Sequence, residues 1–364
     1  MARYWVGGTG NWSDTAHWAA STGAAGGETV PDTTQDVFFD ANSFSAGGQS
    51  VTLDTDPSCK SMNWTGATNT PAWACGTNQR LTIAGSMTLI AGMTITGALN
   101  PSLGITWNSA ASNTITLAGH TLPVTNVNPV STIGMLFNGG GTWTLVGSFI
   151  QPSTHISWRD ATFDADGNAV EIRVATTSQA VDVEAPNLDF AGSTLTIHDF
   201  LLISNSRGTL TTATCALVTN PDLDYVGVSL RAGGQTFASW RAYPQIGPGS
   251  WGFAVTQGAI TVTGNLTLEA TGSGDDAHYD TSASNGTVTI GGLVSGGSSG
   301  HLIELTGTMA TTGALSADYL SLDTATLTGV IPGIAGANSV FGNYVSGWKP
   351  LGAVEPSATL MGVG

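Results

Sequence analysis

The chain has 364 residues, of which 41% are hydrophobic and only 9% charged, and 9 Lys and Arg against 25 Asp and Glu give a formal net charge of −16. Nucleic-acid binding depends on basic side chains that neutralise phosphates, so this acidic chain predicts neither a nucleic-acid nor an anionic membrane partner. The 11 Trp, 11 Phe and 6 Tyr argue against disorder. No signal core and no run of about 18 apolar residues occur, so we expect a soluble protein made in the cytoplasm.

Short runs in which Thr alternates with Ile, Val or Leu recur along the chain, and Gly or Asn ends each of them. Such alternation places Thr on one face of a strand and the aliphatic side chain on the other. The runs are Leu81–Ala84, Met87–Ile90, Met93–Thr96, Thr114–Leu117, Thr142–Val146, Ser193–Ile197, Ala259–Val262, Asn265–Glu269 and Thr287–Ile290. They predict an all-β fold, a right-handed β-helix or irregular β-solenoid, with two β-sandwich domains as the alternative.

Changes in composition divide the chain into five segments. Residues 1–50 are rich in Trp and are predicted to cap the N-terminal end, and residues 51–219 are predicted to form a β-solenoid. Residues 220–257 break the strand pattern and are predicted to protrude or to form a contact. The solenoid continues over 258–348, and 349–364 forms a C-terminal tail.

One local hairpin is predicted around Asp166-Gly167. The run Ala161–Ala165 precedes this dipeptide and Ala169–Ala175 follows it, and Asp-Gly favours a type I′ turn. The nearby carboxylates resemble a Ca²⁺ loop, but Gly167 falls two residues early if Asp164 takes the first position of an EF-hand loop. The hairpin therefore explains the dipeptide without a metal.

Other polar clusters carry no strong chemical signal. Residues Gly274–Asp280 hold three carboxylates and His278, a combination that suits metal binding or acid–base chemistry, but flanking Gly and Ser favour a solvated loop. Cys59, Cys75 and Cys215 have no zinc-type spacing and are predicted to be buried thiols, while a Cys59–Cys75 pair stays open. We predict no catalytic, cofactor-binding or metal-binding residue.

Aromatic residues near the N-terminus allow two interpretations. Trp5, Trp12, His17 and Trp18 are candidates for a sugar-binding platform or for a cap that closes one end of the solenoid. The cap is favoured, because large aromatic side chains mostly serve burial and a terminal coil needs covering.

Residues 220–257 contain a second mixture of Arg, Trp and Tyr. The five candidate contact residues are Arg231, Trp240, Arg241, Tyr243 and Trp251. This mixture is typical of protein interfaces. Local ion pairing with Asp is the alternative for the arginines.

Several sequence segments resemble those of a known protein family. They are YWVGGTGNWSDTAHW (Tyr4–Trp18), VPDTTQDVFFDANSF (Val30–Phe44), CKSMNWTGA (Cys59–Ala67), LTIAGSMTL (Leu81–Leu89), DYLSLDTATLTG (Asp318–Gly329), IAGANS (Ile334–Ser339) and the final GW. The chain is similar to repetitive all-β proteins found among tailed-phage virion proteins and prophage-encoded or bacterial surface proteins. Pro332-Gly333-Ile334 stands where that pattern has an aromatic pair. The resemblance implies an elongated structural protein without assigned catalytic residues.

We therefore expect a non-enzymatic virion surface protein, most plausibly a capsid decoration or cement protein that contacts the major capsid protein or other virion proteins. We predict a homo-oligomer, a trimer, because symmetric assembly suits such a role. The alternatives are a tail fibre or spike that binds a host receptor or glycan, a bacterial surface adhesin, and a polysaccharide-degrading tailspike.

Overall fold

A computed structural model describes residues 1–76, 78–124, 133–177, 187–202, 209–220, 228–231, 234–244, 251–255, 259–270, 277–281, 287–298, 301–329, 333–342 and 345–350. Within these ranges the regular elements are β-strands apart from one short 3-10 helix, Thr15–His17. Parallel pairing of successive coils confirms the predicted β-solenoid and excludes the two-sandwich alternative.

The described coils cross three rows of strands, which we name faces A, B and C in chain order. Strands confined to face A are Arg3–Trp5, Val37–Phe38, Met62–Asn63, Met87–Thr88, Ser112–Thr116, Thr142–Leu145, Thr162–Asp164, Asn187–Asp189, Thr209–Thr211 and Gln235–Phe237. Strands confined to face B are Gly10–Asn11, Ser50–Leu53, Ala72–Cys75, Thr94–Gly97, Ala216–Thr219, Ser239–Ala242, Ser316–Ala317, Gly333–Ala335 and Trp348–Pro350. Strands confined to face C are Ser58–Cys59, Leu81–Ile83, Ile105–Asn108, Met135–Asn138, Val228–Arg231, Trp251–Val255, Ala277–Asp280 and Val340–Phe341.

Longer strands bend from one face to the next. Three of them run from B to C: Phe149–Trp158, Val170–Thr177 and Thr194–Leu202. Two run from A to B, Ile260–Leu268 and Val288–Ser295, and two run from C to A, Ile303–Thr311 and Leu320–Thr328. Register shifts mark bends such as that between Gln151 and His155, so the solenoid turns its corner without ending the strand.

Parallel register aligns equivalent positions of successive coils. On face A, Val37 pairs with Met62 and Met62 with Met87, so that these coils repeat every 25 residues. Parallel strands stand about 4.8 Å apart, and their side chains alternate between the two sides of the sheet. The alternation of Thr with aliphatic residues therefore becomes an outer row of Thr and an inner row of core residues.

The N-terminal edge differs from the rest because its strand reverses direction. Trp18–Ala19 pairs antiparallel with Arg3–Trp5 and forms the outer edge of the ten-stranded sheet on face A. An antiparallel edge strand interrupts the parallel stacking of the coils. The edge strand has only two residues, and so short an edge limits edge-to-edge growth at that end of face A.

The predicted hairpin at Asp166-Gly167 is wrong. Thr162–Asp164 pairs with face A strands of the neighbouring coils, whereas Val170–Thr177 pairs along faces B and C. Asp166 and Gly167 do have the positive φ angles of a type I′ turn, 48° and 73°. The turn is a corner between two faces, and the flanking strands find partners in other coils.

Strands of the segment 220–257 belong to the same ladder. Ser239–Ala242 pairs in parallel with Ala216–Thr219 and with the second half of Ile260–Leu268. Val228–Arg231 and Trp251–Val255 pair with each other on face C. The described strands thus continue the solenoid and do not protrude. Residues 221–227, 232–233, 245–250 and 256–258 lie outside the described residues.

Candidate interaction surface

The four predicted cap residues lie together in one aromatic cluster at the N-terminal end. Trp5, Trp12 and Trp18 are at most 1% exposed, and Trp18 packs edge-on against both other indoles at centroid distances of 5.0 and 4.8 Å. The half-buried His17 ring stacks on Trp5 at 4.7 Å, and its Nδ1 lies 2.7 Å from the Val6 carbonyl oxygen. The four side chains therefore pack together within the first coil, and their role as a cap stays a prediction.

The same burial removes the sugar-platform alternative. A stacking platform needs an exposed ring face, and every tryptophan whose side chain the structure describes is at most 8% exposed. The Trp5 indole N–H donates to the Gly8 carbonyl oxygen and that of Trp18 to the Trp12 carbonyl oxygen, both at 2.7 Å. These side chains are committed to internal packing and hydrogen bonding.

The five predicted contact residues do not form one surface. Trp240 is fully buried and its indole N–H donates to Thr219 Oγ1 at 3.1 Å, so its predicted role in a contact is wrong. Trp240 and Arg241 are adjacent in one strand and therefore point to opposite sides of it. The side chains of Arg231 and Trp251 lie outside the described residues.

Arg241 and Tyr243 do lie on the outside, and Arg241 is ion-paired with Glu269 of the next coil instead of with a local Asp. Arg241 Nε donates to Glu269 Oε1 at 2.7 Å, and the guanidinium lies 5.1 Å from the Tyr243 ring centroid. Tyr279 packs beneath them and donates its hydroxyl to the Glu269 carbonyl oxygen at 2.7 Å. Burial, with Glu269 nearby, raises the pKa of Tyr279 well above its ordinary value.

The predicted solvated loop around Gly274–Asp280 is wrong for its second half. Ala277–Asp280 is a strand of face C, and Tyr279 belongs to the core. His278 Nδ1 lies 2.7 Å from Glu304 Oε2 of the next coil, and His198 Nε2 lies 2.8 Å from Glu171 Oε1. Residues 274–276 lie outside the described residues.

Metal binding and thiol chemistry find no support in the part of the chain that the structure describes. It holds no group of three or more His, Cys, Asp or Glu side chains placed to share a metal ion. Cys59, Cys75 and Cys215 are buried free thiols, as predicted. Burial raises the pKa of Cys75 and of Cys215 to about 12, so neither thiol supplies an accessible thiolate at neutral pH.

One surface feature was missed in the sequence analysis. No Asp or Glu occurs between residues 57 and 159, and the charged residues of this carboxylate-free stretch are Lys60, Arg80 and Arg159. Face A of these coils exposes Asn and Thr side chains such as Asn63, Thr88 and Thr116. All the negative charge of the chain therefore lies before or after these coils.

Comparison with known proteins adds no family. No family model, no curated protein and no solved structure matches the chain. Among the described residues no helix is long and apolar enough to cross a membrane.

Proposed function

We propose that this protein is a non-enzymatic structural component of a phage virion surface, and that it decorates and cements the capsid. The observation that carries the proposal is how the chain uses its side chains. Its described tryptophans are internal and its outer rows are largely Thr, Ser and Asn. The pairs His198–Glu171, Arg241–Glu269 and His278–Glu304 link one coil to the next. Such a surface suits contact with other proteins more than chemistry.

The resemblance of several sequence segments to those of tailed-phage virion proteins supports the same assignment. A cement protein binds only the assembled shell, so it stabilises that state by mass action. The major capsid protein would be its partner, and the acidic faces would point to solvent. In this proposal the protein stands on the outside of the particle in many copies.

A tail fibre or spike is the second candidate, and the solenoid favours it. Parallel coils stacked along one axis build a rod, and a rod can carry a binding site away from a particle. Fold alone does not assign function, so this candidate rests on the outcome of particle labelling.

The deciding experiment labels purified phage particles with gold-tagged antibody against this chain. We expect gold spread over the heads, and particles that lack the protein should release their DNA at a lower temperature until purified protein is added back. Gold confined to the tail tip would overturn the cement role in favour of the fibre. Absence of gold from every particle would overturn both.

A further inference from the structure

Net charge restricts how this molecule can meet a partner of the same kind. The chain carries a formal charge of −16, and like charges placed across an interface cost several kcal/mol. The carboxylate-free stretch, residues 57–159, is the long part of the chain where this repulsion is absent. An association between copies is therefore easiest through the coils of that stretch.

Face A presents a continuous uncharged row, which we call the neutral row; it begins in the coils before the stretch and runs into it. Its members, in order along the solenoid, are Tyr4, Phe38, Asn63, Thr88, Thr116 and Val146. The last step is set by the Val146 amide, which donates to the Ile115 carbonyl oxygen at 2.8 Å and so places Val146 beside Thr116. The row crosses successive coils, whose strands pair in parallel.

Both ends of the neutral row expose apolar surface. The half-buried Tyr4 and Phe38 rings stack on each other with centroids 5.1 Å apart, and Val146 is 51% exposed. The two carboxylates nearest the aromatic end are engaged, since Asp36 pairs with Lys60 at 3.4 Å and Asp40 accepts the Asn42 amide at 2.8 Å.

The other two faces fit this role less well. Arg80 and Arg159 flank strands of face C, so that face of the stretch is charged. On face B, Asp54 directly follows the strand Ser50–Leu53, and no described large hydrophobic side chain of the stretch is exposed there. Face A joins an uncharged row of outward side chains to exposed apolar surface at both ends of that row.

We propose that the neutral row is a self-association surface, through which a second copy of this chain packs side by side on face A. The inference rests on the proposed function, because a coat component works in many copies, and it names the surface and the partner. A closed symmetric assembly would bury the neutral row of each copy and leave the acidic coils outside.

The test measures the molar mass of the purified full chain by light scattering across a concentration series. We expect a mass of at least twice the 37.0 kDa of one chain. The variant Thr116→Asp/Val146→Asp places two carboxylates in the row. It should raise the dissociation constant by roughly a hundredfold or more and yield the single-chain mass.

A matched control separates the surface from the general effect of added charge. Thr82→Asp/Thr106→Asp places two carboxylates on neighbouring outward positions of face C in the same stretch, where Thr82 and Thr106 are paired. This variant should keep the wild-type mass. Circular dichroism and a thermal melt of both variants establish that the coils still form.

Two outcomes would overturn the inference: a wild-type chain that stays at the single-chain mass at every concentration, or equal dissociation by both double variants. Neither depends on particles, so they differ from failure of the proposed function, which is an unlabelled virion. If the chain self-associates through face A but the antibody labels no particle, the self-association surface stands and the proposed virion function is overturned.

Discussion

Two halves of the solenoid reach the same fold with different cores. Up to about residue 190 the interior combines aliphatic side chains with aromatic rings in two clusters, one around Phe39 and Trp64 and one around Phe137 and Phe163. Beyond it, aliphatic side chains such as Leu217, Leu266 and Ile290 predominate. Large rings can fill an irregular interior, whereas branched aliphatics pack best when successive coils keep one register.

The N-terminal coils show what aromatic packing permits. Residues 20–36 leave the first coil and return to face A at Val37, and Phe39 then contacts rings from several elements. The Phe39 ring stacks on Trp64 at a centroid distance of 3.7 Å. One side chain thus links the edge strand, the first coil and the second coil.

The C-terminal coils depend on repetition instead. On face B, Leu266 pairs in register with Trp240 on one side and Leu293 on the other, and all three are buried. On face A, Val262 pairs with Phe237 and with Ile290. Each coil contacts mainly the coil before and after it, which is the energetic pattern of a repeat protein.

The largest loss of stability is expected from removing a ring that contacts several elements. Phe39→Ala should lower the free energy of unfolding by about 3–5 kcal/mol, because it removes a fully buried ring from the centre of the N-terminal cluster. Chemical denaturation at a dilution where the chain is monomeric measures the change. Phe38→Ala is the matched control, since that half-buried ring lies on the outer side of the strand Val37–Phe38, which Phe39 directly follows. A loss below about 1 kcal/mol for Phe39→Ala would contradict the central role of the cluster.

A smaller and more local effect is expected in the aliphatic half. Leu266→Ala should cost about 2–5 kcal/mol, depending on how far the coil collapses around the cavity. Because coils contact mainly their neighbours, amide exchange should accelerate over residues 260–295 and stay slow around residues 37–64. Equal acceleration of amide exchange in both regions would show that the two halves unfold as one unit. It would contradict the proposed difference in stability between them.

The alternation of Thr with aliphatic residues predicted the strands, because it reflects the two sides of a single strand. The run Leu81–Ala84 is the strand Leu81–Ile83, and Thr142–Val146 is Thr142–Leu145. Ala259–Val262 and Asn265–Glu269 turned out to be one strand, Ile260–Leu268, with a register shift at the bend. The strand Phe149–Trp158 was missed, because Pro152 and neighbouring polar residues hide its period at the bend.

Partner choice was not predictable from local sequence. The φ angles at Asp166 and Gly167 follow the dipeptide, yet the strands beside them pair with coils about 20 or more residues away. The prediction that the five contact residues share one surface was wrong for a simpler reason. The strand Ser239–Ala242 alternates, so its burial pattern separates Trp240 from Arg241, and composition alone could not. Charge mapped along the chain would have found the carboxylate-free stretch.

The smallest expected effect is the pH dependence of stability that Asp318 gives to the last coils. Asp318 joins two coils of the aliphatic half, because its carboxylate accepts the Asn338 side-chain amide at 2.7 Å and the Asn338 and Tyr319 backbone amides at 2.9 and 2.8 Å. In the N-terminal half, Asp32 accepts only within its own turn, from the Thr34 amide and hydroxyl at 2.8 and 2.6 Å. The same chemistry thus links two coils at Asp318 and closes a single turn at Asp32.

The pKa of Asp318 explains the direction of its pH effect. Desolvation acts to raise the pKa, but hydrogen bonds from Asn338, Tyr319 and Ser339 outweigh it and hold the pKa below the ordinary value of 3.8. A carboxylate with a lowered folded-state pKa contributes its full stability above pH 3.8 and loses it as pH falls through the folded pKa. Asp318→Asn should therefore weaken the last coils at neutral pH and reduce the further loss below pH 3.8.

Amide exchange of residues 316–342, followed from pH 7 to pH 3 with correction for intrinsic rates, measures this effect. Asp32→Asn is the control, because the Thr34 hydrogen bonds lower the pKa of Asp32 as well, without joining two coils. We expect Asp32→Asn to change exchange only near residues 32–35. If Asp32→Asn loosened distant coils as much as Asp318→Asn does, the coil-linking role of Asp318 would be contradicted.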